Sequence, residues 1–245
     1  KHDYFELLGV VAEAEQEGSF GRAFFDRREG LFGAALGVGD IRGAVRGLEQ
    51  HGLGNSLKVV TLGRSLSVAD NDISMSAAVA LLPVETMPGI RLIMCEHSTP
   101  AALRRPEWLD HPNDALGLAR LTMVVERPES LGSRCEALFG AGSTVVTDNT
   151  LTVFTGAHSV MMVTPAHLPV MFPDVAIEDR RSTYLAAMSI MVGDLERTAR
   201  TLENNQAPFH VTADDTIHVA ARDAGGVIVE FCLQAHCLEA SSALH

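Results

Sequence analysis

Two acidic residues in apolar company raise the first chemical question. Glu6 sits in Tyr4-Phe5-Glu6-Leu7 and Glu230 in Ile228-Val229-Glu230-Phe231. Both runs read as β-strands. A carboxylate buried there without a partner would cost roughly several kcal/mol, so a metal, a cation or a proton must answer for it. On the wet face of a half-exposed strand it would need no partner. His97 and His111 are the candidates to join them. They flank a connector, His97-Ser-Thr-Pro100 to Arg104-Arg-Pro-Glu-Trp-Leu-Asp-His-Pro-Asn113, whose prolines break regular structure and force short turns. Carboxylates and imidazoles together are hard-to-borderline donors suited to zinc or an oxygen-preferring divalent ion. His2 is a weaker candidate, and His158, His167, His210, His218 and His236 read as structural. No G-x-S-x-G elbow is present, and no Cys and His stand in a convincing nucleophilic arrangement. The Cys232, His236 and Cys237 cluster reads as incidental.

The elements that must position these residues repeat along the chain. Leu31 to Val38 is a strand, Asp40 caps a helix whose Ile41, Ala44, Val45 and Leu48 fall at helical spacing, and strands follow over 57–62, 74–82 and 90–95. The same β-α-β-β-β order returns from Leu118 and again from Tyr184. Val38-Gly39-Asp40 aligns with Val192-Gly193-Asp194, and GIRLIMC with GVIVEFC, which sets Gly89 on Gly226, Ile93 on Glu230 and Cys95 on Cys232. The expected organisation is therefore residues 1–11 as the last strand of an incomplete first module, 31–97 as a second module, 98–117 as a connector, 118–165 as a third module, 166–183 as a second connector and 184–234 as a fourth module. Gly37 and Gly39 do not fit the dinucleotide spacing.

Composition sets the bounds. With 47% hydrophobic and 20% charged residues, the chain can bury a proper core. A net charge of −12 argues against nucleic acid and against an anionic membrane surface. No apolar run reaches the roughly 18 residues of a membrane span. Four cysteines without paired spacing suggest a reducing, cytoplasmic setting.

The Val-Gly-Asp helix start, the YFEL and IVEF last strands, and the H-S-T-P to H-P-N connector together resemble the vicinal oxygen chelate superfamily, specifically proteins with a glyoxalase-like domain. That resemblance implies an α+β fold of tandem βαβββ modules pairing into curved mixed sheets, with short helices outside. It also implies a divalent ion (Zn, Fe, Mn or Ni) at the floor of a cup, held by first-strand and last-strand ligands. Glu6, Glu230 and His97 are the expected metal ligands, and Glu6, His97 and His111 the expected catalytic residues. The function so implied is a metal-dependent lyase, isomerase or dioxygenase acting on a small oxygenated substrate. The alternative is a metal-free protein that sequesters a small molecule in the same cup, and a homodimer could complete the incomplete one. The sequence also departs from the pattern. The first-strand ligand positions fall on Gly33, near Arg120 and on Ala187, and the other last-strand positions on Ile93 and near Val160.

Overall fold

The computed structural model describes residues 3–7, 29–54, 57–68, 71–176 and 183–234. Within these, Gly33–Gly37 (β1), Ile41–Gln50 (α1), Val59–Val68 (β2), Asn71–Leu81 (β3) and Arg91–His97 (β4) form a four-stranded mixed sheet in the order β1-β4-β3-β2. The connector holds two short turns of helix, Pro100–Leu103 (α2) and a 3-10 turn at Pro106–Trp108. An eight-stranded sheet follows. It comprises Ala115–Val125 (β5), Thr144–Thr147 (β6), Thr150–Phe154 (β7), Ser159–Val163 (β8), Thr183–Val192 (β9), His210–Val211 (β10), Ile217–Val219 (β11) and Ile228–Leu233 (β12), in the order β10-β11-β12-β9-β5-β8-β7-β6. Gly132–Phe139 (α3), Leu168–Met171 (α4) and Leu195–Asn204 (α5) complete the set. The α+β architecture is as expected, and among the described residues no helix is long and apolar enough to cross a membrane.

The repeated Val-Gly-Asp string builds the same corner twice. Asp40 accepts from the Gly43 amide at 2.8 Å and Asp194 from the Arg197 amide at 2.9 Å, so each carboxylate satisfies a donor that the helix start leaves orphaned. Strand register follows the letter alignment too. Ala35 pairs with Ile93, and its equivalent Ser189 pairs with Glu230. Leu31 and Leu185, equivalent under the spacing that joins the two Val-Gly-Asp strings, form an antiparallel bridge with each other. Around that bridge the close approaches are reciprocal: Gly89 lies against Thr183, and Gly226 against Glu29. The segments around Leu31 and Leu185 are thus related by an approximate local two-fold axis.

Helices α1, α3 and α5 cover one face of each sheet, and α4 lies on the other face of the eight-stranded sheet. Ile41, Val45 and Leu48 of α1 bury against Ala80, Leu82, Leu92 and Met94, in the same core as Met123, Leu151, Val153 and Met162 near α3. Leu195, Ala199 and Leu202 of α5 pack on Ile217, Val219, Val229 and Phe231. Since strand side chains alternate, Arg91, Ile93, Cys95 and His97 in one sheet point away from α1, and His218, Glu230 and Ser189 in the other point away from α5; Arg120 joins them by pairing with Ser189.

Residues 3–7 lie outside every strand, which corrects the expectation of a strand there; the remainder of 1–11 falls outside the described residues. The alternation of Tyr, Phe, Glu and Leu satisfies a strand pattern, but a strand also needs a neighbour to hydrogen-bond, and pattern alone does not supply one. The linker reading over 13–30 falls largely outside the described residues as well.

Candidate functional site

One row of paired residues crosses the middle of the eight-stranded sheet. His218 on β11 registers with Glu230 on β12, Glu230 with Ser189 on β9, Ser189 with Arg120 on β5, and Arg120 with Ser159 on β8. Direct partners share a face, so these side chains form one polar line on the side opposite α3 and α5. Apolar neighbours hem it in. Val124, Met161, Val163, Ala187 and Ile228 on that face are covered by Leu168, Phe172 and Val175, and the Phe172 ring meets His218 edge-on at 5.1 Å.

Glu230 is the hub, with a side chain only 15% exposed. Ser189 donates a short hydrogen bond to it, His218 Nε2 lies 3.5 Å from Oε1, and Arg120 Nη2 lies 3.7 Å from Oε2. Burial pushes the carboxyl upward, but the hydrogen bonds from His218 and Ser189 and the Arg120 charge together outweigh it and hold Glu230 below the usual glutamate value. It is a carboxylate near neutral pH. Around it, Arg120 Nε, Thr122 Oγ1 and His218 Nδ1 are buried without a hydrogen-bond partner among the described residues. Buried polar atoms are almost always paired, so three orphans on one face mark a place for water or a polar ligand.

The other expected residues lie elsewhere. Glu6 is 55% exposed and 3.5 Å from Arg64 on β2, so water and a guanidinium answer for its charge. His97 accepts or donates at 3.2 Å with Tyr4 Oη, on the helix-free face of the four-stranded sheet. The structure therefore brings Glu6 and His97 to one face, away from Glu230. His111 is exposed, and its carbonyl accepts from Arg197 of α5 at 3.4 Å, on the helix side of the eight-stranded sheet. It joins neither group. Beside Glu230 the register sets Ser189 rather than Ala187, and beside Arg120 it sets Ser159 rather than Val160. Asp3 and His158 were not anticipated: Asp3 Oδ2 accepts from the Leu118 amide at 3.0 Å, and Oδ1 lies 2.9 Å from His158 Nε2. Cys95, whose Sγ is 3.6 Å from His97 Nε2, was passed over although residues two apart on a strand share a face.

The family model described as a glyoxalase-like domain matches residues 1–139, more than half of the 245-residue chain. This protein belongs to the glyoxalase-like domain family. It is similar to a hypothetical protein from Staphylococcus aureus at 9% identity and TM-score 0.52, over 82% of this chain and 65% of that one. Weaker likenesses are to methylmalonyl-CoA epimerase from Mycobacterium tuberculosis (14% identity, TM-score 0.37, 48% of this chain and 87% of that one) and the Mn(II)-bound glyoxalase from Novosphingobium aromaticivorans (12%, 0.43, 80% and 60%). The chain spans less than two thirds of the length of the first and third of these. No curated protein matches its sequence.

Resemblance to the glyoxalase-like family implies a metal, and the residues of the Glu230 row determine whether one fits there. Its positions hold one carboxylate, two serines and an arginine, and a guanidinium is a permanent cation with no lone pair to give. The remaining donor, His218, already faces Glu230. Among the described residues, no group of three or more His, Cys, Asp or Glu side chains is arranged to hold an ion. This donor set does not fit a divalent metal, which needs about three protein ligands.

Proposed function

We propose that this glyoxalase-like protein binds a small oxygenated molecule on the face of its eight-stranded sheet opposite α3 and α5, without a resident metal. Glu230 serves as acceptor and Arg120 as donor. One observation carries the reading: the cation facing the floor carboxylate is the chain's own Arg120, 3.7 Å away and only 20% exposed. A ligand hydroxyl would donate to Glu230 while a neighbouring carbonyl oxygen takes Arg120 Nε–H and the Thr122 hydroxyl, the donors that the fold leaves over. The pair is close to neutral as a unit, which favours an uncharged hydroxy-carbonyl compound over a polyanion.

This is the sequestration alternative that the sequence left open, and it displaces the metal-dependent lyase, isomerase or dioxygenase as the better-supported reading. A second reading follows from Glu230 being held ionised beside a cation: a base that removes a proton from the carbon next to a carbonyl, with Arg120 taking up the oxyanion.

Metal analysis of the purified protein, with melts in the presence and absence of a chelator, tests the first reading. Substoichiometric metal and an unchanged Tm are expected. One ion per chain with a loss of several degrees on chelation would overturn it. Melts against a panel of small hydroxy-carbonyl compounds then seek the ligand, and solvent deuterium uptake into any compound that binds tests the proton-transfer reading. Sedimentation of the same sample tests the homodimer suggested for the four-stranded half.

A further inference from the structure

The four-stranded sheet carries a second constellation, independent of the Glu230 row. Cys95 and His97 project from β4 on its helix-free face, with Cys95 Sγ 3.6 Å from His97 Nε2. Tyr4 Oη approaches the same nitrogen at 3.2 Å, and its ring stands edge-on to the imidazole with centroids 5.8 Å apart. Tyr4 Oη and Cys95 Sγ thus converge on one nitrogen, and in the tautomer that carries its proton on Nδ1 this nitrogen accepts from the thiol. Burial, helped by the Arg104 charge, holds His97 below the ordinary histidine value, and burial with the Glu6 charge pushes the Cys95 thiol up. The resting state is therefore a thiol beside a free base.

There is room next to that thiol. Cys95, itself 7% exposed, registers with Gly37 on β1, and among the described residues a Cβ built on Gly37 would meet nothing within 4 Å. The slot is flanked by apolar side chains on the same face. Val79 pairs with Cys95, Val60 pairs with Val79, and Val60 remains 49% exposed. Cys135 offers the contrast within one molecule. It is 0% exposed, and burial raises its thiol to about 11.

We propose that Cys95 is a nucleophile activated by His97, taking a small, uncharged, electron-poor alkene conjugated to a carbonyl in the slot over Gly37. His97 Nε2 accepts the thiol proton as sulfur forms a bond to the β-carbon. The C=C π pair moves to become the enolate, and the imidazolium returns the proton to the α-carbon. The net change is addition of S–H across the double bond, so no oxidant or co-reactant is required. An apolar slot and a net acidic chain both favour a neutral alkene over an anionic one.

N-Ethylmaleimide is a probe of this chemistry, and peptide mapping by mass spectrometry resolves the individual cysteines. In the folded protein at pH 7, Cys95 is expected to react at least about tenfold faster than Cys135, and His97→Asn to slow Cys95 by about tenfold or more, the lower range of general-base assistance. Gly37→Val fills the slot with a residue that strands accommodate, and it is expected to slow labelling of Cys95 without touching His97. Labelling of Cys95 no faster than Cys135, or at an unchanged rate in folded His97→Asn, overturns the proposal. Should His97→Asn fail to fold by circular dichroism, Gly37→Val decides: unchanged labelling there overturns it.

Discussion

Leu31 and Leu185 bridge each other while occupying the same position in their respective modules. A residue that meets its own equivalent sits at a local two-fold axis, so the segments around Leu31 and Leu185 pack as near-symmetric partners within one chain. The glycines beside that axis carry the test. Gly89 has φ 88° and a Cβ there would fall 2.3 Å from Thr183 Cγ2, whereas Gly226 has φ 83° and a Cβ there would fall 2.4 Å from the Glu29 carbonyl oxygen. Both positions combine left-handed backbone with a close approach. Gly89→Ala and Gly226→Ala should each destabilise by about 1–3 kcal/mol, read from urea unfolding, with Gly226→Ala the worse because it meets backbone. A neutral result at both would remove the dyad's energetic importance.

Much of this was legible because the repeat is written in residue types that each do one job. Asp40 and Asp194 cap, Gly89 and Gly226 turn before a last strand, and GIRLIMC against GVIVEFC sets the register that pairs Ile93 with Ala35 and Glu230 with Ser189. The site was less legible for physical reasons. Register irregularities in β5, between Leu118 and Arg120 and between Thr122 and Met123, break simple alternation, so the facing of Arg120 cannot be counted from its neighbours. A two-residue error preserves the face of a strand, which is why Ala187 stood in for Ser189. Tyr4 to Leu7 misled because alternation says nothing about whether a pairing strand exists. Asp3 and His158 meet only through the tertiary fold, and no local pattern announces them.

The Glu230 and Arg120 pair should show coupling when dissected. Arg120→Met leaves a mostly buried carboxylate without its cation and should cost about 2–4 kcal/mol, while the double variant Arg120→Met/Glu230→Met should cost clearly less than the sum of the two single ones. Chemical denaturation across the four proteins measures the coupling. Strict additivity would show that the two charges do not interact.

Acid should expose the same group. The folded-state value of Glu230 lies below its unfolded one, so its contribution is present above the unfolded value near 4.5 and is lost as pH falls through the folded value. Glu230→Gln should therefore be less stable than the wild type at pH 6 and converge with it as the solution is acidified. A constant difference between pH 6 and pH 3 would contradict the assignment.

Asp3 and His158 form a latch with opposite signs at its two ends. Burial raises Asp3, but hydrogen bonds from His158 and the Leu118 amide outweigh it and lower the carboxyl beneath its usual 3.8; the hydrogen bond to Asp3 raises His158 above 6.5, against burial. A depressed acid stabilises above its unfolded value, and an elevated base stabilises below its own. The latch is therefore strongest between those limits, and it weakens as pH falls through the folded Asp3 value or rises through the folded His158 value. The Leu118 amide reports on it, because that N–H donates to Asp3. Its hydrogen exchange, corrected for intrinsic base catalysis, should be slow near pH 5 to 6 and accelerate as His158 deprotonates. Asp3→Asn should abolish the pH dependence and leave the amides of β12 unaffected. Equal protection in Asp3→Asn and wild type across this range would mean that Leu118 is shielded by the sheet alone, and that the segment from Asp3 to Leu7 is held by Tyr4 on His97 and Glu6 on Arg64 instead.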